Sequence, residues 1–295
     1  MPNVEINRLS IAYDCFGSES GAPLLLISGL GVQMIRWTDG FCALLADRGF
    51  RVIRFDNRDA GLSTHLDDAP VPDLAALMQG RVGAVPYTLH DMADDAIGLL
   101  DRLGVDRAHV AGRSMGGMIA QILAARHPRR IASLTSIMSS TGNPDLPPPA
   151  PAAMAMLTRP APDPRRHRDD YLAHAVALAR AIGSPGYPFD EIAARTQAAR
   201  ELERGYNPAG FVRQIAAIAA TGDLRPLTRT ISTPTLVIHG RDDPLIPADC
   251  GHDIAATVPG ARLMLIAGMG HDLPPALYRQ VTEAVAAHAD LPVSR

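Results

Sequence analysis

The sequence predicts an α/β protein: a mostly parallel sheet of eight strands flanked by helices, with a helical cap inserted into it. Three observations predict this. Short β-like runs alternate with helical runs over residues 1–141, the strand pattern then stops over residues 142–230, and it resumes at Thr235. A repeated β-α-β order needs crossover connections, which set parallel strands side by side and cover both faces with helices.

Taken in order, Val4–Asn7 and Leu9–Phe16 are neighbouring β-like runs that form a hairpin. Leu24–Ile27 is a continuous apolar run, the pattern of a strand covered on both faces. Arg51–Phe55 is a further strand, closed by the turn-forming Asp56-Asn57-Arg58-Asp59-Ala60-Gly61. From Asp91 to Leu103, the apolar residues Met92, Ala96, Leu99, Leu100 and Leu103 have helical spacing, and Gly104 stops the helix. Ala108–Ala111 and Leu134–Met138 are two more strands, separated by a helix that ends near Pro128.

The composition changes at Gly142. Eight prolines fall between Asn143 and Pro164, followed by alanine-rich helical segments to about Ala220, and such a stretch cannot continue a sheet. Thr235–Ile238 and Arg262–Ile266 then supply the last two strands, and a helix from Pro275 to about Ala287 ends the pattern. The expected organisation is a core of residues 1–141 and 231–295, with residues 142–230 as a cap over the sheet's C-terminal edge, where open α/β sheets bind ligands. Within the cap, Arg159, Arg165, Arg166 and Arg168 are interleaved with Asp163, Asp169 and Asp170, the composition of a solvated, self-neutralising face. Met154, Met156 and Leu157 suggest an apolar lining there.

Bulk properties exclude several classes. With 47% hydrophobic and 20% charged residues the 295-residue chain is globular, and a formal net charge of −3 gives no reason to expect nucleic acid. Cys15, Cys42 and Cys250 are odd in number and scattered, so buried reduced thiols are expected rather than disulfides or a metal site. No histidine and carboxylate cluster has metal spacing, and no cofactor is expected. Met1–Ser10 lacks the pattern of a secretory signal, and no apolar run approaches the ~20 residues that span a bilayer, so a cytoplasmic location away from membranes is expected. The oligomeric state is left open.

The densest chemical signal is Gly112-Arg113-Ser114-Met115-Gly116-Gly117, which sets a serine between glycines at a strand-to-helix junction. This is the pattern of a nucleophile elbow, a turn so tight that side chains near the serine must be absent or small, here at the glycines two positions to either side. A serine hydroxyl needs a base within hydrogen-bond reach, and that base needs an acidic orienter. The acid and then the histidine should follow the serine on loops after later strands. After Ile238 the chain reads His239-Gly240-Arg241-Asp242-Asp243-Pro244, and after Ile266 it reaches Gly270-His271. Asp243 is favoured over Asp242 because Pro244 holds it extended and stiffens the loop. The alternative acid position after Met138 reads Ser139-Ser140-Thr141-Gly142 and carries no carboxylate. Of the ten histidines, only His239, His252 and His271 lie near later strand-to-loop junctions. His239 precedes the carboxylate and His252 belongs to a helix. Oxyanion donors are expected from the backbone N–H of Met115 and from the loop Ser28-Gly29-Leu30-Gly31, with Leu30 first and Gly31 second. Gly29-Leu30-Gly31 begins a dinucleotide-like pattern, but Met34 replaces its third glycine.

These motifs, together with Asp56–Ser63, resemble those of α/β-hydrolase fold serine esterases, and within them the chain is most similar to aclacinomycin methylesterase-like proteins. The resemblance implies Ser114 as nucleophile, Asp243 as acid, His271 as base, and Leu30 and Met115 as oxyanion donors. It implies hydrolysis of a small to medium, fairly apolar carboxylic ester, methyl esters among the candidates. The serine separates the chain from aspartate-using dehalogenases and epoxide hydrolases. Acyltransfer, perhydrolysis and C–C hydrolysis share the triad, and a catalytically silent ligand receptor shares the fold. Two residues depart from the pattern: Ser28 stands where the usual motif has His, and Arg113 precedes the nucleophile. For Arg113 a structural ion pair with a nearby carboxylate is the expected role, with a raised local positive potential as the alternative.

Overall fold

The computed structural model describes residues 2–289. Eight strands form one sheet: β1 (Asn3–Ile6), β2 (Leu9–Phe16), β3 (Ala22–Ile27), β4 (Phe50–Phe55), β5 (Ala108–Arg113), β6 (Ile131–Ile137), β7 (Thr235–Gly240) and β8 (Arg262–Ile266). Their spatial order is β1-β2-β4-β3-β5-β6-β7-β8. The hairpin β1–β2 and the pair β2–β4 are antiparallel, and every other pairing is parallel. The eight-stranded, mostly parallel architecture read from the sequence is therefore the one observed.

Helices α1 (Asp39–Ala46), α2 (Leu74–Met78), α3 (Leu89–Arg102) and α4 (Met115–Arg126) join the strands of the first half. The start of α3 is fixed by Asp91, whose carboxylate accepts the Thr88 N–H at 2.7 Å and so satisfies a donor that a helix end leaves open. Every residue from Met115 to Ala124 is buried, which explains why α4 is apolar all round rather than striped. Leu25, Ile53 and Val110 pack with α3 and α4 on one face of the sheet. Leu24, Leu26 and Val52 pack with α1 and the final helix on the other.

Between β6 and β7 the chain builds α5 (Pro151–Thr158), α6 (Arg168–Ile182), α7 (Glu191–Arg204), α8 (Pro208–Thr221) and the short α9 (Arg225–Thr228). Helix α10 (Ala248–Thr257) joins β7 to β8, and α11 (Tyr278–Ala289) closes the fold. The division into residues 1–141, 142–230 and 231–295 stays a proposal, and residues 1 and 290–295 of it lie outside the described residues. Cap helices α7 and α8 are tied to the turn after β4 by ion pairs: Arg204 with Asp56, and Arg213 with Asp59. In the basic stretch, Arg168 pairs with Glu203, and Asp169 with Arg195.

One expectation needs correction. Cys42 and Cys250 are buried, but Cys15 is exposed, because it sits near the end of β2, in the part of the sheet that pairs antiparallel. Among the described residues no helix is long and apolar enough to cross a membrane, and no group of three or more His, Cys, Asp or Glu could hold a metal ion.

Candidate active site

The parallel strands all end on one side of the sheet, and that edge collects the residues singled out by the sequence. Ser114 follows β5 directly, at φ 55° and ψ −127°. A non-glycine residue in this region costs of order 1–3 kcal/mol, so its surroundings must hold it there. They do so through the Ser114 N–H, which donates to the Ile137 carbonyl at 2.9 Å, and the Ser114 carbonyl, which accepts from Ser139 Oγ at 2.8 Å. The flanking glycines are steric necessities. A Cβ on Gly112 would lie 2.1 Å from the Gly116 carbonyl oxygen, and one on Gly116 would lie 2.3 Å from that of Ile27.

Three side chains from three strand ends form a continuous hydrogen-bonded chain. Ser114 Oγ lies 3.0 Å from His271 Nε2, and His271 Nδ1 lies 2.8 Å from Asp243 Oδ2. A carboxylate accepts only, so Nδ1 carries the proton and Nε2 is left to accept from the serine hydroxyl. The second oxygen of Asp243 accepts the N–H groups of Leu245 and Ile246 at 2.9 and 2.8 Å, which fixes the carboxylate plane. Asp242 turns away and accepts the Gly268 N–H at 2.7 Å. Asp243 is thus the acid that the structure brings to His271.

Behind Asp243 lies His239, a fully buried β7 residue. Its Nε2 donates to the Ile246 carbonyl at 2.9 Å and stands 3.9 Å from Asp243 Oδ2, while its Nδ1 has no partner. Burial pushes its pKa below the usual histidine value and keeps it neutral beside the carboxylate. His252 lies in α10.

The loop after β3 carries the other predicted residues. The Gly31 N–H donates to Gln214 Oε1 at 2.7 Å and is therefore taken. Gln214 belongs to α8, and its amide also donates to the Arg58 carbonyl at 2.8 Å, so the cap braces this loop from above. Phe211 of the same helix lies against Gly31, where an added Cβ would come within 2.7 Å of its ring. Of the two favoured donors, Leu30 follows Gly29, where an added Cβ would lie 3.1 Å from Ser114 Cβ, and Met115 opens α4, where the helix dipole favours negative charge. Ser28 is fully buried and its hydroxyl has no partner.

The His271 loop is clamped by the end of α6 and the residues that follow it. The His271 N–H donates to the Ile182 carbonyl at 2.7 Å, and the Gly270 N–H donates to Ser184 Oγ at 2.9 Å. Ser184 in turn donates to the Asp272 carboxylate, whose pKa burial raises. None of Gln214, Ser184 and Asp272 was marked by the sequence as a neighbour of the site, because each acts through a contact distant in the chain or through burial, whereas His239, weighed there as a base, lies behind the acid.

Arg113 departs from expectation. No carboxylate lies within 4.0 Å of its guanidinium among the described residues, so the expected ion pair is absent. Its one hydrogen bond is to the Arg36 carbonyl at 3.4 Å, and its guanidinium carbon sits 5.6 Å from the centre of the Trp37 ring. Glu201, the acid whose charge acts most on Arg113, is already joined to Arg36 through the Nε and Nη2 groups of that residue.

Residues 22–274 match the alpha/beta hydrolase fold family. The chain is 31% identical over 304 residues to the rhodomycin D methylesterase DnrP of Streptomyces peucetius, covering 96% of this chain and 95% of that protein. Among solved structures it is similar to a hydrolase from Pseudomonas aeruginosa PA01 (28% identity, TM-score 0.72, 98% of each chain). It also shares the fold of the enol-lactonase from Burkholderia xenovorans LB400 (24% identity, TM-score 0.74, 97% of this chain and 99% of that one). With its fold and strand-end residues in place, the chain belongs to the α/β hydrolase fold family and is an esterase-type hydrolase of small molecules.

Proposed function

We propose that the chain is a serine carboxylic-ester hydrolase working through an acyl-enzyme. The observation that carries this reading is the unbroken contact from Ser114 Oγ through His271 to Asp243, at 3.0 and 2.8 Å. Ser114 Oγ attacks the ester carbonyl carbon while His271 Nε2 takes its proton. The carbonyl oxygen becomes an oxyanion that accepts from the Leu30 and Met115 N–H groups, each donor worth roughly 2.7–4 kcal/mol. His271 then gives its proton to the departing alkoxide, which leaves as the alcohol. Water attacks the acyl-Ser114 with His271 again as base, and the acid is released. Asp243 holds the imidazole in the required tautomer and stabilises the imidazolium.

The extent of the similarity to a methylesterase supports a carboxylic methyl ester, fairly apolar and of small to medium size, as the substrate class, with residues 142–230 selecting it. Ser114→Ala should lower kcat for nitrophenyl ester hydrolysis by roughly 10⁶-fold in a folded protein. A variant that keeps most of its turnover would rule the reading out. A panel varying acyl length and alcohol size should then show the best kcat/KM with methyl or similarly small alcohols.

A further inference from the structure

Among the described residues, the cation beside the nucleophile has no counter-ion of its own. Arg113 ends β5, one peptide bond from Ser114. A guanidinium carries five N–H donors, yet this one makes a single long hydrogen bond, to a main-chain carbonyl. The charges it feels come from groups that frame the serine: Arg36, which follows the oxyanion loop; Asp272 and Tyr278, which follow His271; and Glu201 of the cap. Both acids are engaged elsewhere, Glu201 with Arg36 and Asp272 with Ser184. Burial and the Arg36 charge together lower the Arg113 pKa to about 10, still well above neutrality, so it stays charged and under-bonded. The side chain is only partly buried, so its unused donors are accessible.

We propose that Arg113 is a specificity-determining residue that binds a carboxylate on the substrate, making anionic esters, such as half-esters of short dicarboxylic acids, the preferred substrates. The planar fork of an arginine matches the two oxygens of a carboxylate. A dianionic phosphate would meet stronger repulsion from Glu201 and Asp272, so a monoanion suits the site better. Arg113 and Ser114 are consecutive, their Cα atoms about 3.8 Å apart, and the proposal sets the carboxylate of a short acyl chain attached at Ser114 against the Arg113 guanidinium. The inference rests on the ester-hydrolase function proposed above, keeps its small to medium size, and replaces its fairly apolar acyl part with one that carries a carboxylate.

The test compares two nitrophenyl esters of equal acyl length, the monoester of glutarate and the ester of valerate, on the full chain. Wild type should show the higher kcat/KM with the glutarate ester. In Arg113→Gln the ratio of the two kcat/KM values should fall about 10- to 100-fold, the weight of a hydrogen bond to a charged group, and Arg113→Lys should recover part of it. If Arg113→Gln does not fold, wild type alone still decides. Free glutarate should inhibit valerate ester hydrolysis competitively, and more strongly than uncharged glutaramide. A ratio that Arg113→Gln leaves unchanged, or glutarate no better than glutaramide, overturns the proposal. Wild type that hydrolyses the valerate ester without preferring glutarate sinks this proposal alone, whereas failure on both esters sinks the ester-hydrolase function with it.

Discussion

Asp59 and Arg213, which lie 154 positions apart in the chain, form a buried two-pronged ion pair with N–O distances of 2.7 and 2.8 Å. Asp59 sits in the turn after β4 and Arg213 in α8, so the pair fastens the cap to the core. Asp59 also accepts the Tyr87 hydroxyl at 2.8 Å and the Leu66 N–H at 2.9 Å. Burial alone would raise its pKa, but the Arg213, Leu66 and Tyr87 hydrogen bonds outweigh it and hold the carboxyl below the usual range. Replacing Arg213 by Met leaves a charge buried without its partner. The loss should be about 3–5 kcal/mol, read as a lower midpoint in urea unfolding. An unchanged midpoint would mean that the pair contributes little to docking the cap.

The two adjacent acids after β7 should separate cleanly. Asp243→Asn removes the acceptor at His271 Nδ1 and should lower kcat about 10⁴-fold, as expected when the imidazole takes the wrong tautomer. Asp242→Asn alters only a bond to the Gly268 N–H and should leave kcat within about tenfold. Steady-state kinetics on one aryl ester distinguishes them, and comparable losses in both variants would count against Asp243 as the orienter.

Gln214 offers a test of the oxyanion loop from a distance. Its side chain accepts the Gly31 N–H and donates to the Arg58 carbonyl, holding the loop in which Leu30 is the proposed donor. Gln214→Leu should lower kcat by roughly tenfold or more, with a smaller change in KM, because the misplaced donor serves the transition state rather than the bound ester. A change confined to KM would point to substrate binding instead.

How much of this was legible in the sequence depends on the range of the interaction. Ser114, Asp243 and His271 could be read because each follows a recognisable strand, and parallel topology brings strand ends together. The preference for Leu30 over Gly31 gains its physical basis only from Gln214, 183 positions away, which occupies the Gly31 N–H. The short helix α2 was invisible in a stretch rich in proline and glycine. The absence of a carboxylate partner for Arg113 among the described residues is likewise a three-dimensional fact, since Glu201 and Asp272 both lie near enough for their charges to act on it. The turn Asp56–Ser63 was legible as a turn, but its acids proved to be docking points for cap arginines.

Acid should destabilise the protein through its buried histidines. Burial lowers the pKa values of both His239 and His288, and His288 Nε2 faces the carbonyls of Leu134 and Pro234, each at 3.1 Å. Below the unfolded histidine pKa of about 6.5 the unfolded chain takes up protons that the folded chain refuses. Stability should therefore be fully present above that value, fall as pH drops below it, and level off for these groups once the lowered folded pKa values are passed. Unfolding midpoints between pH 8 and pH 5 measure this, and His288→Gln should flatten the dependence. A slope that steepens in the variant would contradict the assignment.

The most direct measurement is to trap the covalent intermediate. Wild type mixed with excess nitrophenyl acetate, quenched in acid and digested for mass spectrometry, should carry an acetyl group on Ser114, formed with a nitrophenol burst of one equivalent per chain. Ser114→Ala should show neither burst nor adduct. An acetyl group found on another residue, or steady turnover by Ser114→Ala, would contradict the account.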